Sequence, residues 1–206
     1  SCDSQQTSEE ESSLDVLGTA GVEITTPFSS SSTTENGGTV STKVRLKSAP
    51  LSPVTITLNS SDTQEGTVSP TVLTFNKDNW DSYVSIIVTG VDDDIADGSQ
   101  SYEIQIASVV SDDSKYSSLN GQINPIKLQN EDDEIKAIVL GSLSGDTTEA
   151  GGNATFSVKL ASKPIEAVSI PIISTDTSEG TVNVSSLSFD NSNYNTVQTV
   201  TVNGED

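Results

Sequence analysis

The chain repeats itself. Glu35-Asn36-Gly37-Gly38 returns 114 residues later as Glu149-Ala150-Gly151-Gly152, and the same offset carries Glu65-Gly66-Thr67-Val68 onto Glu179-Gly180-Thr181-Val182. Leu73-Thr74-Phe75 maps onto Leu187-Ser188-Phe189, Trp80 onto Tyr194 and Gly90 onto Gly204, with no insertion or deletion across the span. Self-similarity at a fixed offset means two copies of one module, and 206 residues give room for two domains of ordinary size. The first copy covers residues 21–134 and the second 135–206. Residues 1–20, polar and acidic with Glu9-Glu10-Glu11 and no periodicity, read as a disordered tether.

Inside a copy the hydrophobic period is two. Val40, Val44 and Leu46 alternate with polar residues, as do Val54, Ile56 and Leu58, then Ile86 and Val88, then Tyr102, Ile104 and Ile106. Phe156, Val158 and Leu160, then Val168, Ile170 and Ile172, then Val200 and Val202 repeat the pattern. Short Thr-, Val- and Ile-rich runs between Gly, Asn, Asp, Ser and Pro turns, without a helical segment, predict an antiparallel β-sandwich of about seven strands per copy. Leu73, Phe75 and Trp80 keep the same phase in both copies, which assigns them to the core rather than to a stacking platform. The second copy stops at Asp206, the counterpart of Asp92, without equivalents of the strands that carry Tyr102, Ile104 and Ile106. It is therefore read as incomplete, the chain being a fragment of a longer repeat protein, with disorder or aggregation expected after about Pro171. The alternative is that another chain supplies the missing strand.

Charge narrows the chemistry. Thirty Asp and Glu against nine Lys and Arg give a formal charge of −21, which repels nucleic acid and anionic headgroups and attracts cations. There is no His, so Ser-His-Asp and Cys-His nucleophiles and His-containing zinc sites are excluded from these residues. The lone cysteine, Cys2, cannot form an intramolecular disulfide. Its place beside a small residue at the start of the chain resembles the lipidated Cys of exported bacterial lipoproteins, which makes Cys2 a candidate lipid attachment point at an outer membrane. No apolar run approaches the roughly 20 residues that span a bilayer as a helix.

The negative charge is concentrated. Asp92, Asp93, Asp94 and Asp97 crowd into Val88-Thr89-Gly90-Val91-Asp92-Asp93-Asp94-Ile95-Ala96-Asp97-Gly98, directly after the strand of Val84, Ile86 and Val88. A second run, Asn130-Glu131-Asp132-Asp133-Glu134, follows the closing strand of the first copy. An even number of strand reversals between the two places both runs at one pole of the sandwich. Carboxylates gathered without a counter-ion repel, and a hard cation relieves them; calcium accepts six to eight oxygens on irregular loops. The spacing is not that of an EF-hand, so a site here is assembled from loops distant in sequence and couples binding to folding.

Glu35-Asn36-Gly37-Gly38 leading to Val44-Arg45-Leu46, then Gly66-Thr67-Val68, Leu73-Thr74-Phe75, Val91-Asp92-Asp93-Asp94 and the closing Asn130-Glu131-Asp132-Asp133 resemble a Calx-beta module, of the kind repeated in tandem through large bacterial surface proteins. The resemblance covers nearly all of residues 21–206. It implies tandem immunoglobulin-like sandwiches and calcium at the pole facing the next module. Carried over by position, its ligands are Glu35, Asp92, Asp93, Asp94, Asp97, Asp132 and Asp133, with Asp62 and Glu65 as weaker candidates. Where the family often has Gly-x-Asp-Tyr, this chain has Ser69-Pro70-Thr71-Val72, so the resemblance supplies no ligand from that loop and does not fix the number of ions.

The reading that follows is a non-catalytic surface repeat, structural or adhesive, in which calcium at the junction stiffens the array. Its partners are neighbouring modules or subunits of the same protein and a surface ligand. A filament subunit assembled by strand complementation and a calcium sensor are the alternatives. A carboxylate-pair glycosidase is disfavoured, because the nine aromatic residues are mostly claimed by the core and leave little to line a sugar cleft.

Overall fold

A computed structural model describes residues 18–25 and 31–206; Cys2 and most of the N-terminal segment lie outside the described residues. The chain forms two compact units. One comprises the described residues up to Asp92 together with Ser99–Glu131, the other Asp93–Gly98 together with Asp132–Asp206. The acidic segment after Asp92 is grouped with the second unit, whose continuous stretch begins at Asp132.

The fold is all-β. The first unit contains β1 (Val22–Ile24), β2 (Ser32–Thr34), β3 (Thr39–Leu46), β4 (Val54–Ser60), β5 (Gly66–Ser69), β6 (Val72–Phe75), β7 (Val84–Gly90), β8 (Gln100–Val110) and β9 (Ile126–Glu131). They build a four-stranded sheet in the order β1-β3-β7-β5 and a five-stranded sheet in the order β2-β9-β8-β4-β6. Every pairing is antiparallel except β2 with β9. The period of two becomes alternate burial, so that β3 buries Val40, Thr42, Val44 and Leu46. Val54, Ile56, Leu58, Leu73, Phe75, Ile86, Val88, Tyr102, Ile104 and Leu128 complete the core, with Trp80 packed at its margin. Each such side chain contributes about 1.5–3 kcal/mol on burial. Thr42, polar and inward, donates its hydroxyl to the Thr25 carbonyl at 2.6 Å, which removes the penalty of burying it.

Two features depart from the sequence reading. Among the described residues the first unit has nine strands rather than about seven, because the Pro70 break and the short edge segments divide the pattern. One helical turn, α1 (Ser114–Ser117), follows β8, N-capped by Asp113, whose side chain accepts the Lys115 N–H. Four residues are too few to show a helical period in the sequence.

The second unit contains β10 (Ile138–Leu140), β11 (Asn153–Leu160), β12 (Val168–Pro171), β13 (Gly180–Val182), β14 (Ser186–Phe189) and β15 (Gln198–Gly204). Its sheets run β10-β11-β15-β13 and β12-β14. The internal repeat reaches individual hydrogen bonds. Gly66 N–H to Asp62 O recurs as Gly180 to Asp176, Gly90 to Gly38 as Gly204 to Gly152, and Leu58 to Thr71 as Ile172 to Ser185. The Asn79 side chain accepts the Asn76 N–H at 2.6 Å, and Asn193 accepts that of Asp190 at 2.6 Å. Beyond Pro171, where disorder was the sequence expectation, β13, β14 and β15 are formed. Leu187, Phe189, Val158 and Val200 supply a small core of their own there.

Candidate functional site

In the first unit, β2, β7 and β9 end together. Glu35-Asn36-Gly37-Gly38 is a tight turn: the N–H groups of Gly37 and Gly38 both donate to the Thr34 carbonyl at 3.1 Å, and Gly37 has φ +85°. The turn holds Glu35 at the end of β2, its N–H bonded to the Glu131 carbonyl at 3.0 Å and its side chain buried. Asn130, fully buried on β9, organises this pole. Its Oδ1 accepts from the Thr33 hydroxyl at 2.9 Å, and its Nδ2 donates to the Val91 carbonyl at 2.8 Å and reaches Glu65 Oε2 at 3.5 Å. Val91 N–H donates to the Glu65 carbonyl. Glu35, Glu65, Asp92 and Glu131 therefore share one pole of this unit, as the count of strand reversals requires. Nearby, burial pushes the Tyr102 hydroxyl up, the Thr33 hydrogen bond opposes this, and the Glu65 charge adds to it.

In the second unit, Asp93–Gly98 is a structured loop rather than a solvated turn. Asp93 Oδ1 accepts the Ile95 N–H at 2.6 Å, the Asp94 carbonyl accepts the Lys163 N–H at 2.7 Å, and Ala96 is buried. The Asp94 carboxylate bonds the Tyr194 hydroxyl, whose proton is held more tightly because of burial first, this hydrogen bond second and the Asp94 charge after it. Gly98 N–H donates to Asp132 Oδ2, and Glu134 N–H donates to Asp132 Oδ1 at 2.8 Å.

A carboxylate oxygen of Asp132 and one of Glu134 lie within 4.8 Å of each other, close enough that a shared cation would relieve their repulsion. Burial pushes the Asp132 carboxyl up. The Gly98 and Glu134 N–H groups, the Glu134 carboxyl and Lys136 more than offset this, leaving Asp132 below its ordinary value. Ligand oxygens of Asp132 and Glu134, and of Asp133 and Glu134, lie within 4.8 Å of one another. This acidic cluster could bind a metal ion, and its all-oxygen donor set suits a hard cation.

Of the residues singled out from sequence, Glu35 and Asp92 fall at the pole of the first unit. Asp93, Asp94, Asp97, Asp132 and Asp133 fall in the second unit. There Asp94 is turned to Tyr194, and Asp132 is tied to Gly98. Asp62 is exposed and accepts the Gln64 N–H in its own turn. Two contributors were missed. Glu134 sits in the acidic run already noted, and its partnership with Asp132 follows from an i, i+2 turn. Asn130 carries no chemistry that the sequence would flag; only its complete burial reveals its role.

No family model matches the chain, and no curated protein matches its sequence. Solved structures align with it loosely. WR4, a C. elegans MSP family member, aligns at 10% identity and a TM-score of 0.31 over 55% of this chain and 96% of its own. The YadV chaperone aligns at 12% and 0.35 over 90% and 86%. Domains 5–6 of the S-layer protein SbsC align at 16% and 0.29 over 91% and 85%. Similarity at this level assigns neither activity nor partner.

Proposed function

We propose that the chain is a non-catalytic structural or adhesive module of a cell-surface repeat protein, similar to Calx-beta repeats, in which calcium orders the acidic segments 92–97 and 131–134. The observation that carries this reading is the approach of Glu134 to Asp132 and to Asp133, with ligand oxygens of each pair within 4.8 Å, in a chain of formal charge −21. Oxygen ligands on loops favour calcium over zinc or copper. Both segments lie where the chain passes from one unit to the other, so ordering them would stiffen the connection. A lipid on Cys2 would anchor such a module at a membrane surface.

Thermal melting in calcium, in magnesium and in chelator, at matched ionic strength, is the test. A ligand that binds only the folded state adds about 2.7 kcal/mol at a hundredfold excess over its Kd. Calcium is expected to raise the midpoint, and Asp132→Asn to reduce that rise. Equal midpoints in calcium and chelator would remove calcium from the proposal.

A further inference from the structure

Three of the nine basic residues stand on one face of one strand. Val40, Thr42, Val44 and Leu46 of β3 point into the core, so Lys43, Arg45 and, one residue past the strand, Lys47 point outward from the sheet β1-β3-β7-β5. Lys47 keeps the alternation because its N–H still donates to the Gly21 carbonyl, next to β1, at 2.9 Å. Alternate residues of a strand stand about 6.6–6.8 Å apart, so the three charges form a row about 13 Å long. The 114-residue offset puts Ser157, Lys159 and Ala161 at the same positions of the second copy. The shared fold therefore does not require the row.

Its middle member is held in place. Arg45 Nε donates to Glu23 Oε2 at 2.9 Å, and Nη2 lies 2.9 Å from the same oxygen. The guanidinium carbon stands 4.5 Å from the centre of the Tyr83 ring, and the Tyr83 hydroxyl donates to Glu23 Oε1 at 2.8 Å. Both Glu23 oxygens are thus engaged, the Tyr83 hydroxyl first and Arg45 second holding its carboxyl below the ordinary range. Arg45 has already lost the side-chain freedom that an exposed arginine gives up on binding. Asp81 also acts on Arg45 by its charge. Three cations against Glu23 and Asp81 leave this face positive in a chain of formal charge −21. Along β7, Tyr83 and Ile87 flank the row, 41% and 48% exposed, with Ser85 between them opposite Lys43.

We propose that this face of the first unit docks an extended acidic segment of another protein, with carboxylates at every second residue over Lys43, Arg45 and Lys47 and an apolar side chain against Ile87 or Tyr83. Charge and spacing select that occupant. An extended chain repeats its side chains at the rise of β3, so acids at i, i+2 and i+4 meet the row one to one. The acidic remainder of the surface repels the same segment, which confines it to this face. An anionic bilayer is a poorer partner, because it meets the whole side of a molecule of charge −21. A second copy of this chain brings the same net charge and is also disfavoured. The proposal does not rest on the calcium reading.

The test titrates the 206-residue chain, in chelator, into a fluorescein-labelled peptide of sequence Ile-Glu-Thr-Glu-Thr-Glu-Thr and reads anisotropy. Saturable binding that weakens as salt is raised is expected, since exposed charge pairs are screened over about 8–10 Å at moderate ionic strength. Lys43→Ser with Lys47→Ala, which installs the residues of the second copy, should weaken binding about tenfold and leave the melting midpoint unchanged. A peptide of the same composition with its three Glu consecutive should bind more weakly than the alternating one. Absence of saturable binding, binding indifferent to the double variant, or equal binding of the two peptides would each overturn the proposal. Displacement of the peptide by polygalacturonate at equal carboxylate concentration would make the occupant a polysaccharide and overturn the choice of a polypeptide. Self-association of the chain that the double variant abolishes would reassign the face to a second copy, against the proposal.

Discussion

Gly90 and Gly204 stand where a side chain has no room. A Cβ on Gly90 would collide with the Thr34 carbonyl and the Asn130 side chain, and one on Gly204 with the Thr148 carbonyl. The repeated glycine is thus a packing requirement of the turn that carries Glu35. Gly90→Ala should destabilise the first unit by about 1–3 kcal/mol, the usual cost of forcing a methyl group into a filled site. Chemical denaturation followed by the fluorescence of Trp80 would measure it. At the other copy's turns, Asp190 accepts from the Ser192 hydroxyl and from the N–H groups of Ser192 and Asn193, and Asp176 accepts from the Ser178 hydroxyl and N–H. Both carboxyls are held below their ordinary values by these bonds, the hydroxyl contributing most. A carboxylate lowered in the folded state adds stability that is present above its unfolded value and is lost as pH falls through its folded value. Stability of the second unit should therefore decline on the acid side of the carboxylate range. Asp190→Asn should flatten that decline in an acid titration followed by circular dichroism.

At the scale of elements, β4 and β12 share sequence phase and hydrogen-bond pattern but not neighbours. A strand paired on both sides exchanges its amides only when the sheet opens, whereas an edge strand exposes half of them. Exchange at residues 168–171 should be markedly faster than at 54–60 in this chain, as mass spectrometry of peptic fragments would show. Equal protection would mean that β12 is not an edge in solution. The proline in β12 suits an edge, since it offers no N–H to a neighbour and discourages indiscriminate pairing. Alternation of apolar and polar residues was enough to place both strands; it holds no information on what lies beside them.

For the whole molecule, the two units are built on cores of different size. Among the described residues, seventeen buried apolar side chains pack together in the first and five in the second, so the second has less apolar burial to offset its chain entropy. Scanning calorimetry should resolve a lower-temperature transition lost selectively on Phe189→Ala, which removes a fully buried ring at a cost of about 3–5 kcal/mol. A single transition shifted as a whole would show that the units unfold together. Much of this was legible in the sequence. The 114-residue offset, the period of two and the excess of acid over base together determined two all-β copies, their inward-facing residues and the location of the negative charge, because side-chain alternation and repetition are local properties of the chain. What required tertiary structure was everything that depends on which strands become neighbours: the ring of bonds that Asn130 makes across three strand ends, the partition of the acidic residues between two units, the turning of Asp94 to Tyr194 and the bond from the Gly98 N–H to Asp132. A carboxylate's surroundings are set by chain segments tens of residues away, and no local pattern encodes that distance.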